Sequence, residues 1–260
     1  MATTQATRLQ AARALALEVT DVSRRFGALA ALVDINLSIR AGERHAVLGS
    51  NGAGKTTLFN VITGDFPPDT GRIRFFGEDI TAIPGHERIR RGLRRTYQIS
   101  QLFRGLSVFD NLYLATRGTT RRRFSLLRPG PDDGTWADTE RLLHAVGLEG
   151  RRDAKVSELA HGEQRQVEIG MALAGAPRMV LFDEPAAGLS PLERADLVAI
   201  LTGLPPHIGY IVIEHDLDVA LRVVDRVTMM HNGRIFLTGT PDEIENDTRV
   251  QQIYLRGAHG

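Results

Sequence analysis

Nine consecutive residues most constrain how this chain can fold. They are Gly49, Ser50, Asn51, Gly52, Ala53, Gly54, Lys55, Thr56 and Thr57. Their order matches the phosphate-loop pattern G-x-x-x-x-G-K-[ST] at every fixed position. The apolar segment His45–Leu48 precedes the loop and a helical pattern over Thr56–Thr63 follows it, which is the strand–loop–helix context that the pattern requires. The chain is therefore predicted to bind phosphate between a buried strand and a helix N-terminus.

The residue types of this loop suit a nucleotide. Glycines let the backbone curl so that successive N–H groups point at phosphate oxygens. Lys55 would place its ammonium between the β- and γ-phosphates, and Thr56 would offer a hydroxyl to Mg²⁺. The alternative is a glycine-rich turn without function, but only two of the 32 basic residues are lysines and one of them lies here. Neither Lys55 nor Lys155 lies in an Asn-Lys-x-Asp segment, so no means of selecting guanine is visible.

Short apolar or alternating segments elsewhere in the chain are typical of strands. Met179–Phe182 and Tyr210–Ile213 are solidly apolar, as in strands buried on both faces of a parallel sheet. The other predicted strands are Leu15–Val19, Leu32–Ile39, His45–Leu48, Arg72–Phe76, Arg226–Met230 and Arg234–Leu237. Between Leu106 and Gly162 the pattern is helical, interrupted by a loop at Gly130–Gly134. The prediction is an α/β core with a helical insertion.

Composition excludes several classes of protein. The chain has no cysteine, which removes disulfides, cysteine-ligated metals and cysteine nucleophiles. Its net charge of +1 does not require a nucleic-acid partner. No uncharged apolar run reaches the roughly 18 residues of a membrane span, and Met1 to Thr20 lack the apolar centre of a secretory signal. We therefore expect a soluble cytoplasmic protein.

A second cluster follows one of the buried strands. Met179–Phe182 ends in Asp183, which would reach Mg²⁺ through water, and the adjacent Glu184 would polarise an attacking water. The alternative is an Asp-Glu pair that caps the strand before Pro185. His215 ends the next apolar strand and would contact the γ-phosphate, unless it is a simple polar cap.

The order of these motifs resembles the ATP-binding subunits of ABC transporters. After the phosphate loop come Gln98 in Thr-Tyr-Gln, a signature segment from Leu159 to Gln164, the carboxylate pair, a D-loop and a histidine in Ile-Glu-His-Asp. The D-loop contains Gly188, Leu189 and Ser190. The resemblance extends from about residue 15 to 255 and implies a P-loop NTPase core with a mainly parallel sheet, an N-terminal antiparallel β subdomain and a helical insertion.

The resemblance also implies roles for individual residues. Phe26 in Arg-Arg-Phe-Gly would stack on adenine, its alternative being an ordinary core phenylalanine. Gln98 would bind Mg²⁺ with Thr56 and Asp183, and would sense the γ-phosphate together with His215. Glu184 would be the general base for hydrolysis of ATP. The family works as a head-to-tail dimer, in which the signature of one subunit closes on the γ-phosphate held by the other.

Two segments depart from the family pattern. The common signature is Leu-Ser-Gly-Gly-Gln, whereas this chain has Ala160, His161, Gly162 and Glu163 after its leucine. Because Ala160 has no hydroxyl, contact with the γ-phosphate would depend on backbone N–H groups such as that of Gly162. The D-loop usually ends in Asp, where this chain has Ser190.

Longer segments are similar to one subfamily, the importers of branched-chain amino acids and related amides. They are 160–170, 183–191, 213–221 and the tail 239–255. The resemblance implies transmembrane permeases, a second ATP-binding subunit (a copy or a paralogue) and, indirectly, a periplasmic substrate-binding protein, with this chain peripheral on the inner face of the plasma membrane. Two alternatives stay open. An exporter or lipid-extraction ATPase shares much of these segments, and a soluble ABC ATPase would need a coiled-coil insert or a tandem domain.

Eleven arginines crowd a stretch whose only acid between 88 and 128 is Asp110. They are Arg88, Arg90, Arg91, Arg94, Arg95, Arg104, Arg117, Arg121, Arg122, Arg123 and Arg128. A nucleic-acid surface, a basic face toward the anionic membrane and a solvated insert are the three interpretations. No nucleic-acid partner is expected, because no reading motif accompanies the charge.

The predicted organisation is one ABC ATP-binding domain over 14–258 after a loose tail over 1–13. Within the domain, the core covers 14–100 and 160–240, the helical subdomain about 101–159, and a C-terminal extension 241–258.

Overall fold

The structure, a computed structural model, describes residues 14–96, 102–119 and 134–257. Its ten strands within those ranges are β1 Leu15–Phe26, β2 Leu29–Arg40, β3 Arg44–Gly49, β4 Thr70–Phe75, β5 Glu78–Asp79, β6 Leu93–Arg95, β7 Met179–Asp183, β8 Gly209–Ile213, β9 Arg226–His231 and β10 Arg234–Gly239. The α-helices are α1 Lys55–Thr63, α2 Gly85–Arg90, α3 Val108–Thr119, α4 Gly134–Ala145, α5 His161–Leu173, α6 Pro191–Gly203, α7 Leu217–Val223, α8 Pro241–Glu245 and α9 Thr248–Gly257. Two short 3₁₀ helices lie at Glu149–Arg151 and Val156–Glu158.

The strands form two sheets. One is antiparallel with the order β2-β1-β4-β5, and the other has six strands in the order β10-β9-β3-β8-β7-β6. In the larger sheet only β10 is antiparallel to its neighbour, and β9, β3, β8, β7 and β6 run parallel. The predicted α/β class, with a mainly parallel sheet and an antiparallel β subdomain, is confirmed.

The alternation of side chains along the central strands divides the core into two layers. Val180 and Phe182 face α5, α6 and α7 on one side of the large sheet. Met179 and Leu181 face α1 and the antiparallel sheet on the other side. All of β7 is buried, which confirms the prediction of strands covered on both faces.

All eight predicted strands are present, but their bounds differ and two strands were not predicted. β1 and β2 are each 12 residues long. The part of β1 that was not predicted, residues 20–26, is mostly polar and so carries no hydropathy pattern. β5 and β6 have only two and three residues, too few to show a period. Strand β6 matters for the site because it lies beside β7 at the edge of the large sheet.

Helices α3 and α4 pack on each other and on α5 within the stretch predicted to be helical. The tail 1–13 and most of the loop Gly130–Gly134 lie outside the described residues; Gly134 begins α4. No helix in the described part of the chain has the length and apolarity needed to cross a bilayer.

Candidate nucleotide site

The phosphate loop begins where β3 ends and finishes at the first turn of α1. Gly54 is the residue before α1 and has φ of 99°, and a Cβ there would lie 2.5 Å from the carbonyl oxygen of Ala31. At Gly49 a Cβ would lie 2.2 Å from the carbonyl oxygen of Met230. Only glycine fits such close approaches of backbone. The loop therefore has its shape because neighbouring strands leave no room for side chains.

The loop encloses its own lysine. Lys55 Nζ donates hydrogen bonds to the carbonyl oxygens of Gly49 at 2.7 Å and Ser50 at 3.0 Å. Burial lowers the pKa of this ammonium, and the nearby carboxylates of Glu184 and Asp183 oppose that shift. An ammonium directed into the loop is thus held where phosphate oxygens would meet it.

A cleft of about 410 Å³ collects most of the predicted nucleotide-binding residues. It is lined by Phe26, Asn51, Gly52, Ala53, Gly54, Lys55, Thr56, Thr57, Glu184 and His215, among others. Phe26 is not a core residue, since it is 44% exposed. Its ring packs edge-on against Phe66, with centroids 5.5 Å apart, and Arg24 lies 5.1 Å from it. One face of an aromatic ring is thus available at the mouth of the cleft.

The predicted general base lies at the end of β7 in a strained conformation. Glu184 has φ of 48°, which costs a non-glycine residue of the order of 1–3 kcal/mol and is most often kept at functional sites. Its backbone N–H donates to Ile213 O at 2.9 Å. Its carboxylate Oε1 lies 2.7 Å from His215 Nε2. Two of the three predicted catalytic side chains, Glu184 and His215, therefore contact each other directly in the cleft.

Asp183 lies just behind the cleft and is 1% exposed. One oxygen, Oδ2, accepts a 2.6 Å hydrogen bond from Arg95 Nη2, whereas Oδ1 is buried without a hydrogen-bond partner in the described part of the chain. A buried carboxylate oxygen of this kind fits a Mg²⁺ site, which usually uses one or two carboxylates together with substrate phosphates. Thr56 is exposed at the start of α1, where its hydroxyl would complete such a site. Gln98, the third predicted ligand, lies outside the described residues.

The signature segment forms the start of α5. Ala160 is the N-cap residue and makes no side-chain cap bond, while Glu163 Oε2 accepts the N–H of Ala160 at 2.9 Å. The N–H of Gly162, the donor expected for a γ-phosphate, instead donates to Glu193 Oε1 at 2.8 Å. His161 lies against Gly188 of the D-loop, 3.3 Å from where a Cβ would stand.

Ser190, the residue at which the D-loop departs from the family pattern, lies at the start of a helix. Ser190 caps α6, with its hydroxyl accepting from Glu193 N at 3.4 Å and its own N–H donating to Glu193 Oε2 at 2.8 Å. Glu193 thus joins the D-loop to the signature, and hydrogen bonds from Ser190 and Gly162 lower its pKa.

The structure does not bring the residues of the phosphate loop and those of the signature segment together in one chain. Ala160, Gly162, Glu163 and Leu189 line a separate pocket of about 230 Å³. Within the described residues, the phosphate loop and the signature therefore line different cavities.

Arg165 is a site residue that sequence reasoning missed. It donates to the carbonyl oxygens of Pro185 at 3.0 Å, Glu184 at 2.6 Å and Asp183 at 3.1 Å. Its position just after the signature segment was the only signal in the sequence. It ties α5 to the segment that carries the predicted base.

Two arginines of the cluster have buried side chains, so none of the three surface interpretations of the cluster applies to them. Arg88 is 2% exposed and donates to Val61 O at 2.8 Å and Ile62 O at 2.6 Å. Arg95 is also internal, with 6% of its side chain exposed. Neither belongs to a basic surface or a solvated insert, because backbone carbonyls and carboxylates of the core surround them. Arg121, Arg122, Arg123 and Arg128 lie outside the described residues.

Comparison with known proteins defines the class. The chain matches the ABC transporter family over residues 32–187. It is similar to a nucleotide-free ATP-binding cassette from an ABC transporter, with 31% identity, a TM-score of 0.81 and coverage of 92% of this chain and 98% of that one. A cassette in its ADP conformation gives 30% identity and a TM-score of 0.80, covering 93% and 98%. The chain belongs to the ABC transporter ATP-binding family, the ATPases of ABC transporters.

Among individual relatives, the high-affinity branched-chain amino acid transport ATP-binding protein BraF of Pseudomonas aeruginosa is 33% identical over 92% of this chain and 97% of its own length. The corresponding protein LivG of Escherichia coli K12 is 34% identical over the same shares. The lipopolysaccharide export system ATP-binding protein LptB of Acidithiobacillus ferridurans is 37% identical over 85% and 89%.

Proposed function

We propose that this chain is the ATP-hydrolysing subunit of an ABC importer for branched-chain amino acids or related small amides. The cargo rests on the relatives named for branched-chain amino acid transport, which match over 97% of their own length. The export protein is slightly more identical but is matched over less of both chains. An exporter subunit is therefore the second candidate.

One observation supports the mechanism above all. The cleft holds Phe26, Lys55, Glu184 and His215, whereas the signature lines another pocket. A nucleotide bound in the cleft would thus meet only half of its site in one chain. A second copy or a paralogue, placed head to tail, would supply the signature and complete two sites at the interface.

Hydrolysis follows from the side chains of the cleft. Phe26 would stack on adenine, and Lys55 with the loop N–H groups would bind the phosphates. Bound Mg²⁺, held by Thr56 and Asp183 with Gln98, would neutralise charge on the β- and γ-phosphates. Glu184 would take the proton of a water that attacks the γ-phosphorus, as ADP leaves. His215 holds the Glu184 carboxylate at 2.7 Å and would sense the γ-phosphate.

The permease partners would dock at the β6 edge of the large sheet. A cleft of about 580 Å³ lies between α2, β6, α3 and α5, and Ile89 and Leu114 expose apolar surface in it. Arg94 also lines it, with a buried Nε that has no hydrogen-bond partner in the described part of the chain. A cytoplasmic permease segment with apolar side chains and a free carbonyl or carboxylate fits this surface. The chain would then lie on the inner face of the plasma membrane, with the periplasmic binding protein acting through the permeases.

Phosphate release from Mg-ATP tests the ATPase directly. Wild-type protein should hydrolyse ATP and Lys55→Ala should not bind it detectably at the same concentration. Reconstitution in liposomes with its permeases and substrate-binding protein then tests the cargo, since branched-chain amino acid uptake should depend on ATP. Hydrolysis that survives Lys55→Ala would contradict the site, and transport of lipid in place of amino acid would favour the exporter.

A further inference from the structure

Arg95 connects the metal-binding carboxylate to the helix of the phosphate loop. From the end of β6, its Nη2 donates to Asp183 Oδ2 at 2.6 Å and its Nη1 to Asp65 Oδ2 at 3.0 Å. Nη1 also donates to Asn60 Oδ1 in α1. The same strand end is tied to β7 a second time, because Thr96 Oγ1 accepts the N–H of Asp183 at 3.1 Å.

The position of Asp183 makes this contact energetically important. The side chain is 1% exposed, and an ionised carboxylate at such a site is very costly without a cation or a full set of hydrogen bonds. Arg95 supplies the cation and one hydrogen bond, to Oδ2, and its planar guanidinium fixes the direction of that bond. With Oδ2 held in this way, Oδ1 is left as the oxygen without a partner in the described part of the chain.

Whether Arg95 would repel a metal ion depends on the net charge of Arg95 and the carboxylates around it. Arg95 lies between two carboxylates, Asp65 and Asp183, so that the three side chains together carry one net negative charge. One negative charge therefore remains available for a divalent cation. Asp65 offsets the repulsion that a lone guanidinium beside the site would cause.

We propose that Arg95 is the positioning residue of the metal site: it orients Asp183 before the metal arrives and leaves Oδ1 to hold Mg²⁺ through water. This inference rests on the proposed function, in which Asp183 takes part in binding Mg-ATP. Arg95 acts through Asp183 and through α1, the helix that begins with Lys55 and Thr56. It thereby connects the carboxylate at the end of β7 with the helix that follows the phosphate loop, both within one chain.

The test compares the binding of a fluorescent ATP analogue to the full chain in EDTA and in Mg²⁺. The ratio of the two dissociation constants measures how strongly metal and nucleotide assist each other. Loss of an outer-shell partner typically costs 10–100-fold in metal affinity, so Arg95→Met should lower the ratio about tenfold or more. Arg95→Lys keeps the charge without the fork and should give an intermediate loss of at least about threefold. Arg91→Met is the matched control, since Arg91 pairs with Glu78 at 2.9 Å on the surface and should leave the ratio unchanged.

Asp183→Asn separates failure of this inference from failure of the proposed function. If Arg95 acts through Asp183, the double variant Arg95→Met, Asp183→Asn should lose no more than Asp183→Asn alone. A wild-type ratio that Asp183→Asn lowers, but that both Arg95 variants keep within twofold, would overturn the role of Arg95 only. A ratio that Asp183→Asn leaves unchanged would overturn the metal assignment itself, and with it the inference. If Arg95→Met does not fold, Arg95→Lys gives the same decision.

Discussion

Restoring a serine at position 160 should have two separable effects. Ala160 is the N-cap of α5 and makes no side-chain cap bond, although the reverse half of a capping box is present because Glu163 accepts the N–H of Ala160. A serine would complete the box by accepting the N–H of Glu163. The neighbouring helix already has this arrangement, with Ser190 and Glu193 at the start of α6.

The first effect belongs to the single chain. Replacing alanine by serine at an N-cap is worth about 1 kcal/mol, which for a chain of 150–250 residues corresponds to a rise of roughly 2–4 °C in Tm. Ala160→Ser should therefore melt higher without nucleotide. Ser190→Ala is the matched control and should lower Tm by a similar amount, since it removes the equivalent cap from α6.

The second effect belongs to the ATP-bound dimer. A hydroxyl has one donor and two acceptor positions, so the same serine can cap α5 and donate to a γ-phosphate across the interface. Such a charged hydrogen bond is worth roughly 1.5–3 kcal/mol, or at least a tenfold gain in dimerisation measured by sedimentation with Mg-ATP. The effect matters here because the Gly162 N–H is already donated to Glu193. A higher Tm with an unchanged dimer fraction would show that backbone donors already satisfy the phosphate. An unchanged Tm would refute the capping argument.

Three further perturbations test other parts of the site. Phe26→Ala should weaken ATP and GTP to a similar extent, because stacking is the only base contact proposed; a large base preference in fluorescence titrations that survives the change would show a missed contact. Burial raises the pKa of Glu214 to about 7, against the opposing hydrogen bond from Ala186, so the folded state binds more protons than the unfolded state between about pH 4.5 and 7. The free energy of unfolding should therefore fall as pH rises through that range. Glu214→Gln lacks this titration, so between pH 5 and pH 8 it should gain stability relative to wild type by an amount of the order of 1–3 kcal/mol. Urea unfolding of both proteins at the two pH values measures the difference. Lys55→Ala should abolish nucleotide protection against thermal unfolding, and protection that persists would contradict the role of the lysine.

The phosphate loop could be predicted from the sequence because all of its determinants are consecutive. The glycines, the lysine and the flanking strand and helix lie within twenty residues, and the structure shows why two of the glycines are required. The central strands could be predicted because burial on both faces leaves a solid apolar run. The order β10-β9-β3-β8-β7-β6 could not, because it depends on which strands meet across distant parts of the chain.

At the site, the contacts that could not be predicted are those between side chains distant in sequence. Arg95 stood among a run of arginines, and its charge alone suggested a surface; its burial depends on Asp183, 88 residues away. Similarly, the contact of Gly162 with Glu193 depends on how α6 packs beside α5. A local pattern carries no information about such pairs, so roles assigned from motifs missed the groups that hold the motif residues in place.

The most direct test of the head-to-tail ATPase is Glu184→Gln in Mg-ATP. Glu184 lies in the cleft against His215, and the amide keeps the size of the side chain while it loses the ability to take a proton. Sedimentation should show the variant as an ATP-dependent dimer and phosphate release should fall at least a hundredfold, with nucleotide affinity unchanged. A variant that stays monomeric at saturating Mg-ATP and hydrolyses ATP within a few-fold of wild type would contradict both the general base and the dimeric site.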